Sequence, residues 1–87
     1  MAYRLEWEPE EVQRQTLGIP YEFVAEFGEA LGGILEDPWN FRRRPTEPTD
    51  DHHVQRSVPF ADGRGLVTFV ILEYASQVQV VRITWLG

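Results

Sequence analysis

The segment Arg64–Leu86 reads RGLVTFVILEYASQVQVVRITWL, and this stretch decides the fold. Two runs rich in Val, Ile, Phe, Thr and Trp flank the short polar turn Ala75-Ser76, which is typical of a β-hairpin. The first run is apolar at both alternating sets of positions: Leu66, Val70 and Leu72 in one set, Val67, Phe69 and Ile71 in the other. This pattern predicts a central strand with cover on both faces of its sheet.

Composition narrows the class of protein. The chain has 87 residues, a net charge of -6 and no cysteine. This length predicts one domain, residues 1–87, with a single core. The lack of cysteine excludes disulfides and thiolate metal sites, and we expect no cofactor. The acidic balance argues against non-specific binding to nucleic acid, which needs a basic surface. Because no long apolar run occurs, we expect a cytoplasmic protein without membrane contact.

One strand and two helices are predicted before residue 37. Tyr3–Trp7 alternates between apolar and polar residues, which predicts a half-buried strand. Pro9 and the acids around it begin a short helix, about Pro9–Leu17, that Gly18 ends. Pro20 opens a second helix with acids on one side and an apolar stripe on the other. The stripe comprises Phe23, Val24, Phe27, Leu31, Ile34 and Leu35.

A long loop and a strand precede the hairpin. Asp37–Asp51 carries three prolines and many charges, so we expect it to lack an apolar face and to be the most mobile internal segment. Limited proteolysis with trypsin should cut first within Arg42–Arg44. His53–Phe60 is predicted as a strand, and Pro59 places it at a sheet edge or near its own end. Its buried face would comprise Val54, Val58 and Phe60.

The element order β-α-α-β-β-β predicts an α+β fold. Two N-terminal helices would pack on one face of a small, mainly antiparallel four-stranded sheet, and the last three strands would form a meander. We expect one core cluster between the helices and the sheet: Leu5, Trp7, Phe23, Phe27, Leu31, Phe69, Ile71 and Ile83.

Three arginines on or beside the predicted strands are the candidate site residues: Arg56, Arg64 and Arg82. Arg82 interrupts an apolar face formed by Val78, Val80 and Leu86. It is therefore either salt-bridged at the edge of the core or placed in a cleft on an open face of the sheet.

Two further polar groups have alternative interpretations. The run Arg42–Arg44 is either a solvated loop or a phosphate site, since guanidinium groups match phosphate oxygens. His52 and His53 stand beside acids. Adjacent strand residues point to opposite faces, so we expect no metal site there.

Several segments resemble the RelE/ParE toxin superfamily. They are AYRLEWEPE (residues 2–10), ILEDP (34–38), GRGLVTFVILE (63–73) and VQVVRI (78–83). The resemblance extends from Tyr3 to Leu86. It implies a small antiparallel sheet with two helices packed on it, in agreement with the predicted element order.

The resemblance also implies a function. It suggests the toxin module of a bacterial type II toxin–antitoxin pair, with a cognate antitoxin as partner. RelE-like members cut messenger RNA on the ribosome. They use basic residues on the sheet to hold the phosphate and a C-terminal segment for acid/base help. ParE-like members poison DNA gyrase by contact. The resemblance places Arg64 near the family's strand-borne arginine, with Arg56 and Arg82 as possible helpers.

Two departures from the RelE pattern decide between these activities. The chain stops at Gly87, directly after the last predicted strand, and it is acidic where RelE-type toxins are basic. We therefore expect a module that acts by binding, with weak or no nuclease activity. The alternative is a ribosome-dependent messenger-RNA endoribonuclease of RelE type.

Overall fold

The computed structural model describes residues 3–7, 9–42 and 55–87 of the chain. Strand β1 comprises Arg4–Trp7, and it is followed by helices α1 (Pro9–Thr16) and α2 (Val24–Glu36). Three strands complete the domain: β2 (Gln55–Phe60), β3 (Gly65–Leu72) and β4 (Gln77–Trp85). They form one sheet in the order β1-β4-β3-β2, in which β1 is parallel to β4 and the other pairings are antiparallel. This is the predicted α+β fold.

Strand β3 lies inside the sheet, as predicted, but only one of its faces is deeply covered. Val67, Phe69 and Ile71 are buried in the core together with residues of α2. The side chains of the opposite parity, Leu66, Thr68, Val70 and Leu72, are only partly buried. The expectation of cover on both faces is therefore wrong for the described residues, since antiparallel sheets tolerate water on one side. We call this second side the open face.

The core contains four of its eight predicted members, and three others pack against it. Phe27, Phe69, Ile71 and Ile83 are buried, whereas Leu5, Phe23 and Leu31 are partly buried and pack against them. The side chain of Trp7 lies outside what the structure describes. The core also includes Ile19, Ala30, Ile34, Val58, Phe60, Ala61, Val67, Val78 and Val80.

A β-bulge changes which face of the sheet the side chains of strand β4 point to. Thr68 pairs with Arg82, but the next residue, Phe69, pairs with Val80, so Val81 is an extra residue. An extra residue of this kind shifts the alternation of side chains by one position. Val80 and Ile83 therefore both face the core, and Arg82 turns away from it. The predicted continuation of the Val78 and Val80 face to Leu86 is wrong, because Leu86 is 63% exposed.

Helix α1 supports β4 beside the bulge. Strand β1 pairs only with Gln77–Val80. Beyond that point, the Ile83 N–H donates a hydrogen bond of 2.7 Å to Gln15 Oε1 of α1. The glutamine thus satisfies a backbone donor that would otherwise be left without a partner in a partly buried place.

The segment after α2 is docked on the domain. Pro38 is fully buried, and Trp39 and Phe41 pack against the core. Arg42 Nη1 donates a 2.6 Å hydrogen bond to the Pro59 carbonyl oxygen. The expectation that this region lacks an apolar face is wrong for residues 37–42. Residues 43–54, with Arg43, Arg44, His52, His53 and Val54, lie outside the described part of the chain.

The second helix begins with one 3-10 turn, Tyr21–Phe23, that continues into α2. Phe27 and Ile34 of its predicted stripe are buried. Val24 is 47% exposed, so its assignment to the buried stripe is wrong. No helix in the described ranges is long and apolar enough to cross a membrane.

Replacing Phe27 with alanine should destabilise the domain strongly. Phe27 is 8% exposed, and its ring lies 5.3 Å from that of Phe60. Truncating a buried phenylalanine costs about 3–5 kcal/mol. We expect the Phe27→Ala variant to melt well below the wild type in a thermal scan followed by circular dichroism. Tyr74→Ala is the matched control, since Tyr74 is 90% exposed. An unchanged melting temperature for Phe27→Ala would contradict the packing described above.

Candidate functional site

The structure does not bring the three candidate arginines together. Arg56 is half-buried and has the same parity along β2 as Val58 and Phe60. Its Nη1 donates hydrogen bonds to the carbonyl oxygens of Pro38, at 2.7 Å, and Phe41, at 3.1 Å. Arg56 therefore fastens the segment after α2 to the sheet through one terminal nitrogen of its guanidinium group.

Arg64 lies in the turn between β2 and β3. Its side chain is exposed, and its guanidinium carbon lies 5.4 Å from the centre of the Phe23 ring, a cation–π distance. Its carbonyl oxygen accepts a hydrogen bond of 2.6 Å from the Leu86 N–H. Arg64 thus closes the turn against the end of the chain, and its side chain is directed to the helix side.

Arg82 is the one candidate on the open face. The bulge at Val81 directs its exposed side chain there, beside Thr68. Thr68 in turn pairs with Ser57 of β2, and their hydroxyl oxygens are 2.9 Å apart. Ser57, Thr68 and Arg82 therefore form one row across three strands, which we call the hydroxyl–arginine row. This geometry agrees with the second of the two expected placements of Arg82, in a cleft on the open face.

The hydroxyl–arginine row lines a shallow concavity of about 470 Å³. Gln55 and Val81 complete its lining. The five lining residues supply one cation, two hydroxyl groups and one amide, but no carboxylate, imidazole or phenol. Such a site offers hydrogen bonds and one positive charge to an anionic or polar ligand. It offers no group that exchanges a proton near neutral pH.

A second polar cluster lies at the turn between β3 and β4. Glu73 Oε2 accepts hydrogen bonds from Tyr3 Oη at 2.6 Å and from Trp39 Nε1 at 3.0 Å. These two donors, Tyr3 first, hold the pKa of Glu73 below its ordinary value, and the bond to Glu73 is the main reason that the pKa of Tyr3 is raised. The cluster joins the start of β1, the segment after α2 and the hairpin turn, so its role is structural. In the described ranges, no group of three or more His, Cys, Asp or Glu residues is arranged to hold a metal ion.

Sequence reasoning missed Ser57 and Thr68. Each is a hydroxyl residue within an apolar strand, at the parity opposite to the buried residues, and that was the available signal. Their pairing with each other and with Arg82 depends on strand register and on the bulge at Val81, which a pattern of single residues does not reveal.

The fold and the site define a class: a small α+β domain with helices on one side of a four-stranded sheet and a polar concavity on the other. Solved structures of this class are similar to the chain. The free E. coli toxin RelE mutant gives a TM-score of 0.74 at 14% identity, over 98% of this chain and 84% of that chain. The intact E. coli RelBE toxin–antitoxin complex gives 0.73 at 13% identity, over 97% and 96%.

A further match is the E. coli toxin RelE mutant in complex with an antitoxin RelBc peptide. Its TM-score is 0.72 at 13% identity, over 95% of this chain and 82% of that chain. No protein-family model and no curated protein matches the sequence. The chain therefore has a RelE-like toxin fold, as its residues suggested, and the low identity limits this conclusion to the fold.

Replacing Arg56 should affect stability more than replacing Arg82. Arg56→Ala removes two charge-assisted hydrogen bonds in a partly buried place, which we expect to cost about 1–3 kcal/mol. Arg82→Ala is the matched control, and a surface substitution of this kind should change the unfolding free energy by about 0.5 kcal/mol or less. Urea unfolding measures both. Equal losses for the two variants would contradict the assigned role of Arg56.

The Glu73 cluster should stabilise the fold in a pH-dependent way. The folded pKa of Glu73 is lowered from 4.5. Its contribution is therefore present above the unfolded pKa and is lost as the pH falls through the folded value. We expect the melting temperatures of the wild type and Glu73→Gln to differ most near neutral pH and to converge on acidification below about 4.5. Glu10→Gln, at an exposed position of α1, controls for the loss of a surface charge. A difference independent of pH would contradict the hydrogen-bonded carboxylate.

Proposed function

We propose that this protein is a toxin-like module of a toxin–antitoxin pair that acts by binding its target, with weak or no cleavage of RNA. The RelE-like fold supports the class. Two of the similar structures contain a toxin with its antitoxin. By analogy, an antitoxin is the partner we propose here.

The side chains of the open face favour binding over RNA cleavage. Cleavage of RNA through its 2′-hydroxyl needs a group that takes a proton, a group that returns one and positive charge on the phosphate. The concavity supplies Arg82 for the charge but no acid or base among its five lining residues. Among the described residues of the open face, Arg4 and Arg82 are cationic and Glu6 is anionic. This charge is small for a surface that must hold a polyanion.

A ribosome-dependent endoribonuclease of RelE type is the second candidate. Arg82 favours it, since the bulge presents this arginine beside two hydroxyl groups on an open surface. In that case Arg82 would contact the scissile phosphate. Arg64 lies over the Phe23 ring on the helix side, so it would contact the RNA only after leaving that ring, and Arg56 would act indirectly by fixing the segment after α2.

Expression in a bacterial host without the partner tests the proposal. We expect growth arrest without ribosome-dependent cuts when transcripts are mapped by sequencing of their 5′ ends. Arrest with altered plasmid supercoiling would identify DNA gyrase as the bound target, whereas unaltered supercoiling would indicate another one.

Variants identify the residues involved. Strong cleavage that Arg82→Ala or Arg64→Ala abolishes would overturn the binding proposal and support the endoribonuclease. Arg4→Ala is the control for loss of an open-face cation outside the concavity. Neither arrest nor cleavage, with the protein shown to be expressed and folded, would overturn the assignment as a toxin.

A further inference from the structure

Arg82 differs from Arg42, Arg56 and Arg64 in that its guanidinium group is uncommitted. Arg42 and Arg56 donate hydrogen bonds to backbone carbonyl oxygens, and Arg64 lies over an aromatic ring. Within residues 3–7, 9–42 and 55–87, the Arg82 side chain forms no hydrogen bond, ion pair or ring contact. The chain carries 14 acidic residues, yet none of the residues that line the concavity is acidic. The positive charge of Arg82 is therefore open to an anion from another molecule.

The two hydroxyl groups beside Arg82 add a hydrogen-bond donor to the concavity. Ser57 Oγ and Thr68 Oγ1 are 2.9 Å apart, so one of their two protons lies in the bond between them. The other proton has no acceptor among the described residues and is available to a ligand. Thr68 pairs directly with Arg82, and the Cβ atoms of such a pair lie about 4.5–5.5 Å apart. A hydroxyl and a guanidinium group at this spacing can hold the two oxygens of one carboxylate.

The rest of the open face suits a nucleic acid poorly. Proteins that bind single strands combine several cations along a groove with aromatic rings on which the bases stack. At the described strand positions of the open face, the cations are Arg4 and Arg82, and no side chain is aromatic. A concavity with one cation and no stacking surface favours a single anionic group over a polyanion.

Aliphatic side chains flank the hydroxyl–arginine row. Val81 lines the concavity, and Leu66 and Val70 stand on either side of Thr68 on the same face of β3. All three are partly buried, so each leaves some apolar surface next to the polar groups. In binding sites of this composition the apolar surface supplies affinity and the few polar groups fix the orientation of the ligand.

The charge of the whole chain restricts the ligand further. A net charge of -6 repels a run of acidic residues. One carboxylate among apolar residues avoids this repulsion and still satisfies Arg82. The surface therefore complements a peptide segment with an isolated Glu or Asp between aliphatic side chains.

We propose that the hydroxyl–arginine row binds a glutamate or aspartate side chain of a protein partner. Arg82 pairs with the carboxylate, the available hydroxyl proton of Ser57 or Thr68 is donated to it, and the neighbouring residues of the partner contact Val81 and Leu66. The inference rests on the proposed function, since it names the chemistry by which the module holds the protein that it binds.

Titration followed by NMR tests the site directly. The probe is a short peptide with one Glu between Leu and Val residues, acetylated and amidated so that this Glu is its only charged group. The control peptide has Gln in place of Glu. We expect the Glu peptide to shift the side-chain Nε–H resonance of Arg82 and the amide resonances of Ser57 and Thr68. The Gln peptide should bind about tenfold more weakly, since it lacks the charge-assisted hydrogen bonds.

Protein variants separate this site from general attraction of the carboxylate. Arg82→Gln should weaken binding of the Glu peptide about tenfold and abolish the difference between the two peptides. Ser57→Ala with Thr68→Val removes both hydroxyl groups and retains the charge, so binding should weaken about threefold or more. Arg4→Gln changes the net charge as Arg82→Gln does, at an open-face position outside the concavity, and should alter affinity about twofold or less. Spectra of the free variants verify that each is folded.

A short single-stranded RNA is the competing probe. RNA that shifts the same resonances and displaces the Glu peptide would overturn the proposal and support the endoribonuclease. No shift with the Glu peptide, equal binding of the two peptides, or unchanged binding to Arg82→Gln would overturn it as well.

These measurements use the purified protein and do not depend on toxicity. Growth arrest without binding of the Glu peptide would overturn this inference and leave the proposed function standing. Binding of the Glu peptide without arrest or cleavage would support the site and overturn the assignment as a toxin. Failure of the carboxylate site is therefore distinguishable from failure of the proposed function.

Discussion

The β-bulge at Val81 is the constraint on which the rest of the structure depends. An extra residue in β4 moves every later side chain of the strand to the opposite face of the sheet from the one that strict alternation would give. Ile83 and the partly buried Trp85 can then pack with the helix side while Arg82 turns to the open face. With strict alternation, Arg82 would lie in the core, where an unpaired guanidinium is costly. One backbone irregularity thus completes the core and creates the concavity.

Polar side-chain contacts attach the helices and loops to the sheet. Gln15 of α1 accepts the Ile83 N–H next to the bulge, and Arg56 of β2 binds two carbonyl oxygens of the segment after α2. At the turn between β3 and β4, the Glu73 carboxylate accepts hydrogen bonds from Tyr3 and Trp39. Each contact joins segments distant in sequence. The domain therefore uses side chains, in addition to its apolar core, to attach its loops and helices to the sheet.

The domain separates its surfaces by chemistry. The concavity on the open face is lined mainly by polar side chains, with Arg82 as its cation. The exposed side of α2 carries the acidic residues Glu26, Glu29 and Glu36. The fold itself is shared with RelE, but at this level of identity the chemistry of the surfaces belongs to this chain.

Much of the fold was determined by local sequence. The hairpin, the two helices, their order and the burial of Phe27, Phe69 and Ile71 follow from periodicity and turn residues, which act over a few positions. Only the tertiary structure decided that Arg56 binds backbone carbonyls, that residues 38–41 dock on the core, and that Ser57, Thr68 and Arg82 share a row. These features depend on strand register and on contacts between residues far apart in the chain, which local periodicity does not encode.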